Sequence, residues 1–408
     1  MHQHVAPTEG VPKLRTSRRV VVSLSAIMGA LGLITLIGLI ALWPNQADLP
    51  EKQPLFAHEG STISGEIVDT HPGEAGGMVT MQPDGSENTI LVHANPDVPA
   101  EDFSIGDRIR VVNLTSLQET PSGPETVYSY MDHHREWPML VLFGLFVIAI
   151  VAVARWKGFA ALVGLIGAMA MVWFFLLPAL MTGANALMVA LVTASVVMMI
   201  VMFLAHGISV KTVTALLGTF LGIASVAALA WWAIPATNLT PLAHEDMRRL
   251  FYSTEGTIDP KGILLSAMVL TGVGVLNDVT ITQSATVIEL RSSAPNRSRR
   301  SIFAMAMRIG RDHIASTVYT VAFAYVGASM VMIMLGATFD LTMLELFTFE
   351  EFAAQIVPIL VVSIGLVLTI PLTTAITAWL CGDPIEVENA DDADDGFEDE
   401  LEEDTAEA

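Results

Sequence analysis

The sequence predicts an α-helical polytopic membrane protein with about eight transmembrane helices and a small extracytoplasmic β-barrel, OB-like, between helices 1 and 2. Three observations support this fold class. The 408 residues are 52% hydrophobic and only 15% charged, whereas a typical soluble domain is about a quarter charged. Apolar runs of the roughly 20 residues needed to cross a hydrocarbon core recur along the chain. After the first run, about ninety residues change to the short alternating segments typical of strands.

The predicted spans are the long apolar runs with few charges, at residues 20–43, 137–154, 159–180, 185–205, 213–234, 262–280, 315–335 and 352–380. The first run follows Lys13, Arg15, Arg18 and Arg19, as in a signal peptide. It is longer than the roughly 7 to 15 residues of a signal-peptide core, and no clear small-x-small cleavage site follows it. We therefore expect a retained anchor.

Positively charged loops predict the orientation, because such loops stay in the cytoplasm. With the N-terminus inside, the inside segments hold thirteen of the 20 basic residues, so we expect both termini in the cytoplasm. The predicted domains are a basic cytoplasmic N-terminus at 1–19, a transmembrane anchor at 20–43, an extracytoplasmic β-domain at 44–136, a seven-helix membrane domain at 137–380 and a disordered acidic cytoplasmic tail at 381–408.

The net charge of −22 comes mainly from two segments. Residues 44–137 hold sixteen of the 42 acidic residues, and residues 383–408 hold fourteen. An OB barrel that binds nucleic acid presents a basic, aromatic face, whereas this β-domain has four basic residues. We therefore expect no nucleic-acid partner. We interpret the acidic surface as one that keeps the domain soluble and away from anionic lipid.

Five short strands are predicted in the β-domain, at residues 62–69, 78–82, 89–94, 108–114 and 125–131. Residues that tolerate tight reversals separate them, at Gly76-Gly77, Pro83-Asp84-Gly85 and Gly106-Asp107. Five strands of this length are typical of a small barrel.

One group of residues in the β-domain resembles a metal site. Asp132, His133, His134 and Glu136 lie together, with His71 elsewhere, and imidazole and carboxylate are ligands for divalent ions. Because consecutive residues on a strand point to opposite faces, the two adjacent histidines cannot bind one ion if the strand continues that far. We favour an exposed polar collar at the membrane interface, and we expect no metal and no cofactor.

The segment at 235–261 is predicted to carry a short helix on the outer surface. Thr240 and Pro241 resemble an N-cap followed by a first-turn proline, and Glu245 and Asp246 supply an acidic start.

Asp278 is the one carboxylate inside any predicted span. Such a charge costs roughly 3 kcal/mol or more without a partner, and it usually faces a bundle interior or an aqueous path. If the following helix folds back at Pro295, Asp278 and Asp312 both lie seventeen residues from the turn, about 25 Å away. This hairpin places Asp278 beside Arg311 and Asp312.

The same hairpin places Asn277 level with His313 and Thr282 level with Arg308. The hypothesis is a polar cluster that lines a path for an ion, a proton or a small solute. Its centre would be Asp278, Arg308, Arg311 and Asp312, surrounded by Asn277, Thr282, Gln283 and His313. The alternative is structural: Asp278 reaches the cytoplasmic headgroups, or an Asp/Arg pair fixes the register of two helices.

Glycine and proline in the spans give two further expectations. Gly272 and Gly274 should allow close helix approach beside the polar segment. Pro371 should open a kink in the last span, among Thr369, Thr373, Thr374 and Thr377.

Two segments carry a family resemblance: GVLNDVTITQ at 274–283 and RIGRDHIASTVYTVAFAYVGAS at 308–329. With the layout of one anchor, a β-rich outer segment and a seven-span body, the chain resembles the YibE/F family of bacterial multi-pass membrane proteins. The resemblance implies a bacterial cell membrane and says little about activity. In one common form of the family pattern the position of Asn277 is acidic or apolar, so a mechanism with two adjacent carboxylates is not expected here.

Nucleophile elbows, Walker loops, helical metal-binding pairs within a span and paired membrane carboxylates are absent from the sequence, which disfavours an ATPase, a kinase or a metalloprotease and ranks a membrane-embedded enzyme third among the functional classes. The leading hypothesis is therefore a transporter or channel component with its polar path at the sixth and seventh helices. The alternative is a non-transporting envelope scaffold that binds a partner through the outer β-domain. The expected partners are the lipid bilayer and an envelope or membrane protein, and the sequence sets no oligomeric state.

Overall fold

The computed structural model describes residues 18–50, 62–71, 78–94, 103–114 and 127–380. Residues 51–155 form one compact unit, and the rest of the chain forms a second. The predicted Gly76-Gly77 turn, the basic residues before 18 and the acidic tail at 381–408 lie outside the described residues.

The first unit contains a closed five-stranded barrel, as predicted. Its strands are β1 Thr62–His71, β2 Met78–Pro83, β3 Ile90–His93, β4 Arg108–Asn113 and β5 Tyr128–His133. The strand order around the barrel is β1-β2-β3-β5-β4, and β1 pairs with both β2 and β4. All pairs are antiparallel except β3 with β5, which is parallel. Closure leaves the described strands without a free edge.

Alternation along the strands builds the barrel core. Ile67, Val79, Met81, Val92 and Ile109 are at most 1% exposed, and they come from four different strands. The residues between them point outward, which is the period-two pattern that predicted the strands. Two glycines supply the positive φ angles of the turns, at +78° for Gly85 and +96° for Gly106.

The second unit is helical. The chain's helices are α1 Arg18–Ala41, α2 Glu136–Met171, α3 Leu177–Met181, α4 Ala186–His206, α5 Val210–Ala236, α6 Glu245–Ser253, α7 Pro260–Ser293, α8 Arg299–Ala328, α9 Met330–Gly336, α10 Met343–Thr348 and α11 Glu350–Leu380. The first part of α2 belongs to the unit of the barrel. A π-helical stretch, Val172–Leu176, joins α2 to α3 just before Pro178, whose missing N–H interrupts the α-helical ladder.

Among the described residues, six helices are long and apolar enough to cross a membrane, or seven if the bent pair α8 and α9 counts as one span. One of the six, Glu136–Met181, has 46 residues, about twice the number that one span needs. It covers two predicted spans, and Arg155 breaks its helical geometry between them with φ 53° and ψ −131°. The helix count is compatible with the prediction of about eight.

Three helices differ from the prediction. α7 continues thirteen residues beyond the expected end of its span at 280, and α8 begins at Arg299 and bends by 70° into α9. The short helix α6 begins at Glu245 after an N-cap at His244, whereas Thr240 precedes a separate 3-10 turn. The kink expected at Pro371 stays a prediction: α11 is continuous through this residue, and hydroxyls of three neighbouring threonines donate to carbonyl oxygens of their own helix.

The core of the helical unit is formed by α5, α7 and α11. Gly218 faces Thr373 and Gly222 faces Thr369 so closely that an added methyl group would overlap the threonine side chain. Gly272 also packs near Val226 of α5, as predicted. The expectation for Gly274 was wrong, since a side chain there would meet nothing within 4 Å because this residue lies on the exposed side of α7.

Candidate functional site

The two helices that carry the predicted polar cluster form an antiparallel hairpin. The turn lies between the end of α7 at Ser293 and the start of α8 at Arg299. The side-chain amide of Gln283 in α7 donates a hydrogen bond of 3.1 Å to the carbonyl oxygen of Ala306 in α8. Gly310, one turn further along α8, also lies against Gln283. These contacts agree with the predicted register of the hairpin.

Gln283 belongs to a layer of polar side chains buried between α5, α7, α8 and α11. Its amide also donates to the Thr374 hydroxyl at 2.8 Å. Other hydroxyl pairs cross the same interface, Thr219 with Thr280 at 2.6 Å and Ser284 with Thr377 at 3.2 Å. All of these side chains are at most 2% exposed. The layer is a packed helix–helix contact rather than an open path.

Five other residues of the predicted cluster point away from this buried layer. Asp278, Thr282, Arg308, Arg311 and Asp312 are all exposed. Among the described residues, no ion pair within 4 Å involves any of these charged groups. The contacts of Gln283 thus agree with the expected pairing of residues along α7 and α8. Among the described residues, however, Asp278 and Arg311 form no ion pair.

Asn277 and His313 lie on different sides of the hairpin. Asn277 follows Ser266 by eleven residues, three helical turns, and the Ser266 hydroxyl donates to the Ala186 carbonyl oxygen of α4 at 3.1 Å. Asn277 thus faces α4, whereas His313 follows Gly310 by one turn and faces α7. The amide oxygen of Asn277 and Nε2 of His313 are each buried without a hydrogen-bond partner among the described residues.

The exposed face of α7 has an unusual composition for a long apolar helix. Its exposed residues are Lys261, Ala267, Gly274, Asp278, Thr282, Glu289 and Ser293, and no large hydrophobic side chain of α7 is exposed. α11 is different, since it exposes Leu360, Ile364, Val367, Leu368, Leu372 and Trp379. We call the set Thr271, Gly274, Asp278, Thr282 and Glu289 the polar stripe, because spacings of three, four and seven place them on one face.

Contacts between α7 and α5 show how far along the length of the helix bundle Asp278 lies. Leu276 lies against Gly222, and Thr280 bonds to Thr219. Asp278 is therefore level with residues 219–222, about ten residues from the start of α5 and about fifteen from its end. At 1.5 Å per residue the nearer end is about 15 Å away. Asp278 is near the middle of the bundle, not at its edge.

The electrostatic neighbour of Asp278 is on α4. The charges of Lys211, Lys157 and Asp278 all act on His206, the last residue of α4. Asp278 thus lies within electrostatic range of the last residue of α4. Hairpin geometry alone did not predict this neighbour, because His206 is seventy-two residues away in sequence.

A cavity of about 360 Å³ lies at the other end of the polar stripe. Its wall includes Thr271, together with His244, Asp246, Tyr325 and Glu350. The stripe therefore begins in a cavity with two carboxylates and runs past Asp278 and Thr282 to Glu289.

The histidines of the barrel have separate partners. His133 accepts or donates a hydrogen bond of 2.6 Å with the Tyr130 hydroxyl and stacks on Phe103 with ring centroids 5.5 Å apart. His134 bonds instead to Glu136 at 2.9 Å and to the Ser64 hydroxyl at 3.0 Å. The two rings lie on different faces, as the strand alternation predicted.

The carboxylate of Asp132 forms an ion pair with Arg135. The hydrogen bond from this guanidinium lowers the pKa of Asp132 below its ordinary value. Burial raises the pKa of the Tyr130 phenol, and the nearby Asp132 charge raises it further. These groups form a local polar network of the barrel.

Sequence reasoning missed two parts of this site. Helical spacing in the sequence places Asp278, Thr282 and Glu289 on one face, but it did not show that this face is exposed while Gln283 is buried. It also missed Thr271 and Gly274 as members of the same stripe. The available signal was the absence of large apolar residues at three-and-four spacing along α7.

Residues 142–383 match the family described as YibE/F-like protein, and this stretch is more than half of the 408 residues. It contains α4 to α11 and most of α2, including both motifs of the hairpin, and it leaves out the barrel. No curated protein and no solved structure matches the chain. The family match confirms the resemblance drawn from the residues of α7 and α8. The chain belongs to the YibE/F-like protein family.

Proposed function

We propose that the protein spans the bacterial cell membrane and forms part of a transporter or channel that moves a small solute or ion along the polar stripe of α7. Both termini are placed in the cytoplasm and the barrel outside, because the basic loops then lie inside. The observation that carries the proposal is the exposed face of α7, which has no large apolar side chain.

A lipid-facing helix would expose large apolar residues, as α11 does. α7 instead exposes glycine, hydroxyl and carboxylate groups over several turns, around the level of the bundle centre. An ionised carboxylate facing hydrocarbon at that depth would be costly, so this face requires water or a polar partner. A water-lined path along the stripe meets this requirement.

The level of Asp278 also bears on the structural alternative. At about 15 Å from the start of α5, Asp278 would lie near the centre of a hydrocarbon core of about 30 Å. An aspartate side chain is too short to reach the headgroups from there. Among the described residues Asp278 forms no ion pair with Arg311, which speaks against a register-fixing role. Both facts favour a role for Asp278 as the anionic group that meets a passing cation or proton.

The cavity at Thr271 would be the place where a solute or ion enters the path from the outer side of the membrane. Asp246 and Glu350 would attract a cation to this cavity, from which the stripe leads to Asp278. On the inner side the path would end near Thr282 and Arg308.

A deletion strain tests the proposal. Its growth and solute content are measured across a panel of metal ions, pH values and osmolytes, with complementation by the wild-type protein, by Asp278→Asn or by the matched control Asp340→Asn, an exposed carboxylate outside the stripe. The proposal expects that Asp278→Asn fails to rescue a specific solute phenotype while membrane levels stay normal. Rescue of every phenotype by Asp278→Asn would overturn it. If deletion of the barrel then abolished rescue, the scaffold would be the better account.

A further inference from the structure

The cavity of about 360 Å³ at the Thr271 end of the polar stripe has the composition of a ligand site. It lies between α7, α8, α11 and the segment around the start of α6, so four parts of the chain form its wall. Its volume is within the roughly 300 to 1,000 Å³ of small-molecule sites. Such sites combine a mostly apolar wall with a few polar groups that select the ligand.

Most of this wall is apolar. Leu239 and Met268 line the cavity and are each 1% exposed, and Ile263, Leu264 and Pro358 line it beside them. Apolar ligand surface that is buried against such side chains leaves water, which favours binding. The occupant that fits this wall therefore has an apolar part.

The charged side chains of the wall are acidic. Asp246 lies in the first turn of α6, Glu350 is the first residue of α11, and no lysine or arginine of the described residues lines the cavity. The backbone N–H of Thr240 donates to Oε1 of Glu350 at 2.5 Å, which holds this carboxylate at the wall. Two carboxylates in a wall without lysine or arginine favour a cationic ligand.

The wall favours an organic cation over a metal ion. Although His244 lines the cavity with the two carboxylates, no three His, Cys, Asp or Glu side chains among the described residues are placed to hold a metal ion. Tyr325 lines the same cavity, and the face of an aromatic ring attracts an ammonium group. Carboxylates, an aromatic ring and apolar side chains together match a ligand that carries an ammonium group on an apolar body.

We infer that this cavity binds an organic ammonium ion, with its charge at Asp246 and Glu350, its ammonium group beside Tyr325 and its apolar part against Leu239 and Met268. The inference rests on the function proposed above, since it names the class of solute that enters the path there. A neutral apolar solute would leave the carboxylates unexplained, and an inorganic ion would leave the apolar wall unexplained.

The test measures how well ammonium ions protect a thiol in the cavity of the purified full-length protein in a neutral detergent. Ala267 lines the cavity and is exposed, so Ala267→Cys in a Cys381→Ser background places one thiol there. Its rate of reaction with N-ethylmaleimide, an uncharged reagent, is followed as each probe is titrated. Thr271→Cys repeats the measurement from a second position of the wall, and Ala304→Cys, exposed on α8 outside the wall, is the control thiol.

The probes separate charge from shape. They are benzyltrimethylammonium, choline, the uncharged isostere of choline in which carbon replaces nitrogen, and magnesium ion. Asp246→Asn with Glu350→Gln removes both charges and keeps the shape of the wall, and Asp340→Asn, an exposed carboxylate outside the wall, is its matched control. Tyr325→Leu removes the aromatic ring, whereas Tyr325→Phe keeps it.

The inference expects benzyltrimethylammonium to protect the cavity thiols at a lower concentration than choline, and the isostere and magnesium ion to give no protection. The concentration for half protection should rise roughly tenfold without the two carboxylates and roughly fivefold in Tyr325→Leu. It should stay unchanged in Asp340→Asn and Tyr325→Phe.

Four results would each overturn the inference: protection by the isostere as strong as by choline, protection by magnesium ion, no protection of either cavity thiol by an ammonium ion, or equal half-protection with and without the two carboxylates. The readout is thiol protection and not solute flux. Rescue of every phenotype by Asp278→Asn would therefore end the transport proposal without changing this result, and the two failures are distinct.

Discussion

The side-chain amide of Gln283 in α7 donates a hydrogen bond of 2.8 Å to the hydroxyl of Thr374 in α11. The same amide donates to the Ala306 carbonyl oxygen of α8 at 3.1 Å, so one side chain joins three helices. The polar groups of this buried layer are therefore engaged in helix packing, and the exposed charges of the same hairpin are left for another role.

Replacement of Gln283 by alanine should destabilise the helical unit. The change removes two interhelical hydrogen bonds from a buried site, so we expect the free energy of unfolding to fall by about 1 to 2 kcal/mol. Denaturation in mixed micelles measures it. Thr282→Ala, the next residue but on the exposed face, is the control and should change stability little. Equal effects of the two variants would show that the buried layer is not a packing contact.

The close approach of α5 and α11 predicts a contrast among glycines. Gly218→Ala and Gly222→Ala should each lower the free energy of unfolding by about 1 to 3 kcal/mol, because the methyl group would overlap Thr373 or Thr369. Gly274→Ala should be neutral or slightly stabilising, since its surroundings are open and alanine favours the helix. Thermal unfolding of the three purified variants makes the comparison, and a cost at Gly274 as large as at Gly218 would contradict this packing.

Asp278→Asn should leave stability almost unchanged. Among the described residues Asp278 has no ion pair to lose, and its side chain is exposed, so the change in unfolding free energy should stay within about 0.5 kcal/mol. Denaturation in mixed micelles, with Gln283→Ala as the destabilised reference, decides the matter. If Asp278→Asn unfolded as readily as Gln283→Ala, Asp278 would have a structural partner and the path would lose its central residue.

The ion pair of Asp132 with Arg135 predicts a pH-dependent contribution to the stability of the barrel. Because the pKa of Asp132 is lower in the folded state, its contribution is present at neutral pH and is lost as the pH falls through the folded-state pKa. Arg135→Ala should therefore destabilise the barrel at neutral pH and have progressively less effect in acid.

Thermal unfolding of the full-length protein, followed by the circular dichroism of the strands across that pH range, measures the difference. Arg135→Lys keeps the positive charge and serves as the control. A difference between wild type and Arg135→Ala that grew in acid would have the wrong sign for this ion pair.

Much of the fold could be predicted from the sequence because each element has a strong local pattern. The alternation around Val79 and Met81 gave β2 its bounds within one residue, and the apolar run after Asn185 gave α4 within one residue. The bend between α8 and α9 was missed, since Ser329 sits in an apolar run with no proline beside it. A local sequence pattern cannot show where packing against other helices bends an apolar helix.

The candidate site was predicted less completely. Counting residues from Pro295 gave the levels of Asp278 and Gln283, because both helices are continuous over that length. It could not give their directions, which depend on which neighbours pack against α7. Gln283 bonds to α8 and α11, whereas Asp278 is exposed, and only the tertiary packing distinguishes the two.

Cysteine accessibility is the most direct measurement of whether the polar stripe faces water. Cys381 is the one cysteine of the chain, so Cys381→Ser provides a background for single cysteines at Gly274 and Thr282 on the stripe, and at Ile364 and Leu368 on the apolar face of α11 as controls at a similar depth. A small, charged methanethiosulfonate reagent is applied to intact membranes, where it reacts with a thiolate that water can reach. We predict rapid labelling at Gly274→Cys and Thr282→Cys and almost none at Ile364→Cys and Leu368→Cys. Labelling of the stripe as slow as that of the α11 controls would contradict a water-lined path along α7.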